Sequence, residues 1–258
     1  LDKALETIGM GMATLHEVKH DDQQRMIPED LEASIKKDRE AGLVPFMVVA
    51  TTGTTDLGSI DPMSRIAEIA HSEENKLWFH VDGAIGALYA LCPRMDELFA
   101  GMETSDSMIM DPHKSLSQPY GSGAVLFKNG AHKAISCAKY PELDNQVPMW
   151  QSPIENRMMF RSYIIWFSVQ AMGISTFRDV LERNLELAQY VYDQLKTIPE
   201  LYVMEPQLTT VVFRMKGEDK DTANDNTKKL TKEMDEDERV CLSGTTMGGY
   251  KYIRICIC

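Results

Sequence analysis

The chain contains no run of eighteen apolar residues, so no segment reads as a membrane-spanning helix. It is also short of positive charge, with 27 Lys and Arg against 39 Asp and Glu and a formal net charge of -12. A surface that neutralises nucleic-acid phosphates must be basic, so nucleic acid is not an expected partner. Cysteine is scarce: five in 258 residues, an odd number without the spacing of a disulfide framework. That usage suits a reducing compartment, and the expected location is cytoplasmic. Cys256 and Cys258 would share one face of a strand, but two thiols with no nearby His or Cys pair make a poor zinc site, so no metal is expected. Leu1 falls inside a helical pattern, with no initiator methionine, charged leader or cleavage site. The chain therefore reads as an internal, N-terminally truncated fragment.

What is present suits a packed enzyme-sized fold, since 43% of residues are hydrophobic. Leu1, Ala4, Leu5 and Ile8 keep a helix rhythm, and a short strand is expected near 13–18. Pro28, followed by Glu29 and Asp30, marks a helix start that Gly42 closes. Phe46 to Ala50 reads as a strand buried on both faces. It empties into Thr51, Thr52, Gly53, Thr54 and Thr55, which suit either a polar ligand or a hydrogen-bonded turn. Asp61 and Pro62 read as an N-cap and first turn, and a strand ending at Asp82 follows. Strand, helix, strand at this spacing is a βαβ unit, which predicts a largely parallel sheet with helices on both faces.

Further along, Met108 to Met110 is a second buried strand, ending in Asp111, Pro112, His113 and Lys114, and Ala124 to Lys128 is another. Periodicity is lost from Asn129 to Asn156, where a functional lid or a mobile segment is expected. Two helices follow, then strands over Leu201 to Glu205 and Thr209 to Met215. A surface connection over 216–226, a charged helix over 227–238 and a last alternating strand complete the reading. The expected division is a cofactor-binding large domain over 1–175 and a small α+β domain over 176–258.

The stretch from Leu77 to Lys114 organises the rest. LWFHVDGA and MIMDPHK are apolar runs that each deliver a charged residue at the strand's C-terminal tip. Open α/β sheets bind ligands outside those tips, so Asp82 and Lys114 can meet in one crevice. Alone, the pair is also compatible with a helix cap and a surface lysine. Gly83, Ala84 and Gly86 would let a flat ring approach the backbone.

The words ATTGTTDLGSIDP, LWFHVDGA, DPHK, RMMFRSYIIWF and YIRICI occur in the order found in the group II pyridoxal-phosphate-dependent amino-acid decarboxylases, and the whole chain resembles that family. The resemblance implies an α/β fold of the fold type I, pyridoxal-phosphate-dependent transferase kind, with a small α+β C-terminal domain. It implies decarboxylation of an L-amino acid to an amine and carbon dioxide, with other chemistry on the same cofactor, or an inactive copy, as alternatives. It further implies pyridoxal 5'-phosphate as cofactor, an amino-acid substrate and a homodimer with active sites at the subunit interface.

By this resemblance Lys114 would hold the cofactor aldehyde as an internal aldimine. Asp82 would pair with the protonated pyridine nitrogen, and Ala84 would pack on a ring face. Thr55 would lie near the ring substituents, and His113 near cofactor and substrate carboxylate. Asp111 stands where some relatives carry an asparagine that helps hold the phosphate. Tyr140 matches a mobile-loop tyrosine that protonates the carbanion, with an ordinary surface tyrosine as the alternative. Arg254 matches an arginine that receives a substrate side-chain carboxylate, with a structural salt bridge as the alternative, and Arg161 is a weaker candidate. Ser115 and Gly83 depart from the family, which often has an aromatic residue and an alanine there. Phosphate-binding donors and a ring-stacking histidine would precede Leu1, so this stretch alone is expected to bind cofactor poorly.

Overall fold

In the computed structural model, which describes residues 1–135, 161–237, 239–240 and 242–257, the chain runs through two four-stranded sheets. The first part contains α1 (Asp2–Thr7), α2 (Pro28–Glu40), β1 (Met47–Thr51), α3 (Met63–His71), β2 (Trp78–Asp82) and α4 (Asp96–Phe99). There follow β3 (Ser107–Met110), α5 (Pro112–Ser115), β4 (Ala124–Phe127), α6 (Gly130–Ile135), α7 (Arg161–Met172) and α8 (Ile174–Lys196). The second part adds β5 (Leu201–Met204), β6 (Thr210–Met215), α9 (Lys220–Asp237), β7 (Ser243–Met247) and β8 (Tyr250–Cys256).

The first sheet has the order β1-β2-β3-β4, with β1, β2 and β3 parallel and β4 antiparallel. Alternation along the strands sends Val48, Ala50, Phe79 and Val81 into a core completed by Leu31 and Ile35 of α2 and Ile66, Ile69 and Ala70 of α3. Helix α2 starts as its sequence dictates, with Pro28 in the first turn, two acids at its positive end and Lys37 and Arg39 at its negative end.

Among the described residues the expectation of a doubly buried β1 is corrected. Met47 is exposed and, on the same face, Val49, Trp78, His80 and Asp82 are only half-buried; Phe46, just before the strand, is exposed as well. The apolar run 46–50 thus reflects β-propensity and one buried face, not two. The strand expected near 13–18 is also absent: a 3-10 turn over Met12–Thr14 leads to an isolated bridge, His20 with Met26. Asp61 does not cap α3. Its two carboxylate oxygens instead accept the Met26 and Thr51 N–H groups, each at 2.7 Å, and tie the 20–26 turn to the end of β1. Burial pushes the Asp61 carboxyl up, and the two N–H donors pull it partly back.

The second sheet has the order β5-β6-β8-β7, all antiparallel. The polar connection expected over 216–226 is largely helix. Asp219 accepts the Thr222 N–H and starts α9 early, and buried Ala223 and Thr227 face β6 and β8. Strand β7 escaped the sequence reading, although its signal was present. Gly248 and Gly249, both at positive φ, make the two-residue turn of a β7–β8 hairpin. Thr176 lies in the first turn of α8. The first half of that helix buries Phe177, Leu181 and Leu185 in the core of the first sheet, and its second half packs Ala188 and Tyr192 on Val211 of the second.

Candidate functional site at the strand ends

The parallel register places Thr51 opposite Asp82, and Asp82 opposite Ile109, so the C-terminal ends of β1, β2 and β3 stand side by side. The turn after Asp82 is pinned to both neighbours. Gly83 N donates to Ile109 O at 3.1 Å, and Gly86 N to Thr52 O at 2.9 Å. A Cβ on Gly83 would lie 2.4 Å from the Ala87 Cβ, and one on Gly86 would lie 2.3 Å from Thr52 O. These glycines therefore serve backbone packing under the site and not the approach of a ring. The Asp82 carboxylate, half-buried on the open face, accepts the Ala84 N–H at 3.2 Å, which brings Ala84 beside it.

One strand over, α5 is a single helical turn that begins after Asp111. Lys114 Nζ reaches back to Asp111 Oδ2 at 3.0 Å, and the Lys114 side chain is 42% exposed, which leaves it open to a ligand. His113 lies under it, its Nε2 3.9 Å from the same oxygen and its ring edge-on to Tyr120. The next residue, Ser115, is buried and donates its hydroxyl to Ile85 O at 2.6 Å. Asp82, Ala84, Asp111, His113 and Lys114 are thus gathered at adjoining strand ends.

Thr55 and Arg254 are placed differently. Thr55 is exposed in the turn beyond β1, and the threonine beside Asp82 is Thr51, one of the strand-end hydroxyls noted above. The signal was there, because Thr51 is the last strand residue with the parity of Asp82 across the ladder. Arg254 on β8 donates Nη1 to the Thr55 carbonyl and Nε to Ser243, and lies 3.7 Å from Asp56. It clamps the second sheet to that turn, in keeping with its structural alternative. Tyr140 lies outside the described residues, and Arg161 opens α7.

Beneath Asp82 on the open face, Ser107 Oγ accepts the Trp78 indole N–H at 2.8 Å and lies 2.7 Å from His80 Nδ1. Trp78 can only donate, so Ser107 Oγ accepts from it and makes its second hydrogen bond with His80 Nδ1. Burial pushes the His80 pKa below its ordinary 6.5, with the Asp82 charge opposing. Stability held by neutral His80 is therefore complete above about pH 6.5 and lost as pH falls through the depressed folded value. His80→Gln is expected to flatten the fall of the urea midpoint between about pH 7.5 and about pH 5.5. An unchanged slope would show that His80 does not carry that acid sensitivity.

Buried polar side chains nearly always have partners, yet Thr52 Oγ1, His113 Nδ1 and Ser122 Oγ have none among the described residues. All three lie at this end of the sheet: Thr52 beside Gly83, His113 beside Lys114, and Ser122 next to Gly123, whose Cβ position is 3.1 Å from Asp111 Oδ1. Unpartnered hydroxyl and imidazole atoms around an exposed amine and a carboxylate fit a polar, anionic, aldehyde-bearing heterocycle such as pyridoxal phosphate. Ser122 is a further site candidate that sequence reasoning missed, and Thr52 joins it from the strand-end hydroxyls noted above. No group of three or more metal-ligating side chains occurs among the described residues.

Residues 2–216 match the model of the pyridoxal-dependent decarboxylase conserved domain. The aromatic-L-amino-acid decarboxylase of Bacillus atrophaeus is 30% identical over 268 residues, covering 99% of this chain and 55% of that protein. The acidic amino acid decarboxylase GADL1 of Mus musculus is 32% identical over 223 residues, covering 83% and 40%. The crystal structure of 4-hydroxyphenylacetaldehyde synthase from Rhodiola rosea superposes with a TM-score of 0.88 at 26% identity, over 99% of this chain and 54% of that one. The chain thus spans about half the length of the curated relatives it matches. With the family's words, its α/β architecture and the paired Asp82 and Lys114 strand ends all present, the chain belongs to the pyridoxal-dependent decarboxylase family, whose cofactor is pyridoxal phosphate.

Proposed function

We propose that the protein decarboxylates an L-amino acid, breaking the bond between the α-carbon and the carboxylate and placing a proton on that carbon to give an amine and carbon dioxide. The observation that carries this reading is the union of the two strand ends. The turn after Asp82 is tied to β3 by the Gly83–Ile109 hydrogen bond and to the turn bearing Lys114 by the Ser115–Ile85 bond, which sets a carboxylate and an amine on adjoining strand ends.

Pyridoxal phosphate, when bound, supplies a conjugated ring that accepts the electron pair left as carbon dioxide departs. Lys114 would hold the cofactor through its exposed amine. Asp82 would favour a proton on the pyridine nitrogen, keeping the ring electron-poor. Ala84, beside Asp82, would contact the ring. Thr52, His113 and Ser122 offer their unpartnered atoms to the cofactor or to the substrate carboxylate, and Asp111 orients the amine. Tyr140 remains the proposed proton donor to the α-carbon. Residues 1–175 act as the cofactor-binding part and 176–258 as the small domain. A homodimer completes this reading, and the exposed Val44, Phe46, Trp166 and Phe167 fit burial against further protein.

A second reading, oxidative formation of an aldehyde with dioxygen as oxidant, draws on the likeness to the Rhodiola aldehyde synthase. Product analysis separates the two. The full-length protein, supplied with pyridoxal phosphate and a panel of aromatic and acidic L-amino acids, is expected to release carbon dioxide and an equal amount of amine. Aldehyde with matching oxygen uptake would favour the second reading, and no product from any amino acid would defeat both.

A further inference from the structure

Ser115 takes no part in the chemistry assigned to its neighbours, yet it is the residue joining them. It follows Lys114 directly, is only 6% exposed and spends its hydroxyl proton on the carbonyl of Ile85, three residues beyond Asp82. Both partners sit on short, otherwise thinly tethered segments. Helix α5 has four residues, its N-cap makes no side-chain hydrogen bond, and Ser117 just after it is held at φ 51°, an uncommon conformation for a residue with a Cβ. On the other side, the 83–86 turn is fastened at Gly83 to β3 and at Gly86 to β1; α5 is anchored by buried Pro112 and Leu116, and the Ser115–Ile85 bond is its side-chain hydrogen bond to that turn. A second tie, from Ser168 of α7 to Gln118, holds the chain beyond the lysine but not the lysine turn itself.

We propose that Ser115 is a positioning residue: its bond to Ile85 sets the separation and facing of the Lys114 amine and the Asp82 carboxylate, the two groups that grip opposite ends of the cofactor. The proposal rests on the functional reading above. A bidentate site of this kind is sensitive to spacing, because a ligand of fixed length held at both ends loses one contact when the ends drift. A short hydroxyl-to-carbonyl bond in a buried position is well suited to suppress that drift. An apolar residue here would leave the Ile85 carbonyl without the donor it now has.

The experiment uses the full-length protein and two variants, Ser115→Ala and Ser115→Thr, the latter keeping a hydroxyl. Three quantities are read: the dissociation constant for pyridoxal phosphate from fluorescence titration, the fraction of Lys114 fixed to cofactor by borohydride, and the thermal midpoint of the cofactor-free protein. Ser115→Ala is expected to weaken cofactor binding about tenfold. Borohydride trapping should fall in step, the cofactor-free midpoint should stay near that of the unmodified chain, and Ser115→Thr should recover most of the loss. Binding by Ser115→Ala within about twofold of the original would overturn the proposal. So would a loss that threonine does not repair, or a cofactor-free alanine variant that fails to fold, since the hydroxyl would then serve the fold at large. If the unmodified protein itself shows no adduct on Lys114, the functional reading falls and the proposal falls with it. An adduct in the original that is unaltered in Ser115→Ala removes this proposal alone.

Discussion

Lys114→Ala is expected to abolish borohydride fixation of pyridoxal phosphate to the chain and to lower turnover by roughly four to six orders of magnitude, the scale of loss when a covalent catalytic group is deleted. The argument starts from exposure. The Lys114 side chain is 42% exposed and, among the described residues, its Nζ pairs with Asp111 at 3.0 Å, so the fold does not depend on it. A half-exposed pair of this kind contributes less than about 1 kcal/mol, and the thermal midpoint of the variant should lie close to that of the original. A large effect on cofactor attachment with a small effect on stability separates a chemical role from a structural one. Peptide mapping after borohydride reduction checks the assignment. An adduct persisting on another lysine, or turnover within a hundredfold of the original, would remove Lys114 from the role given to it here.

Much of the site could be read from the sequence because its parts obey local rules. Two buried β-rich runs, one ending at Asp82 and one at Met110, told where β2 and β3 end, so Asp82, His113 and Lys114 were placed at strand tips without tertiary information. What could not be read depends on pairing across the chain. Thr51 stands beside Asp82 only because β1 and β2 align in one register, and a single-residue slip would have brought up Thr52 instead. Asp61 had the composition of a helix cap, but two backbone N–H groups from segments distant in sequence claimed its oxygens first. Arg254 stood as a substrate receptor through the family resemblance, with a salt bridge as its alternative. The turn that occupies it, Thr55 and Asp56, lies at the far end of the sequence. The hidden role of Ser115 has the same origin, since nothing local in DPHKS names Ile85 as a partner.

Asp82→Asn tests the electrostatic half of the site. Asparagine keeps the shape of the side chain and one acceptor oxygen, so the Ala84 N–H at 3.2 Å retains its bond, and the backbone stays fixed by the Thr52 N–H on the Asp82 carbonyl at 2.9 Å. What changes is the group presented to the pyridine nitrogen. A carboxylate favours a proton there, whereas the amide carries no charge and can offer its own N–H, which favours the unprotonated ring. The ring then withdraws electrons less well as the α-carbon gains charge, and the loss should fall mainly on the chemical step. The expected result is a fall in kcat of about a hundred- to a thousandfold, equivalent to about 3–4 kcal/mol, as when one preorganised electrostatic partner is removed. Lys114 remains available, so borohydride should still fix cofactor to the variant, in contrast to Lys114→Ala. Single-turnover kinetics resolve the point: slowed chemistry with cofactor still attached supports the assignment, and an Asp82→Asn enzyme that turns over within about threefold of the original would show that no charge at the end of β2 is needed.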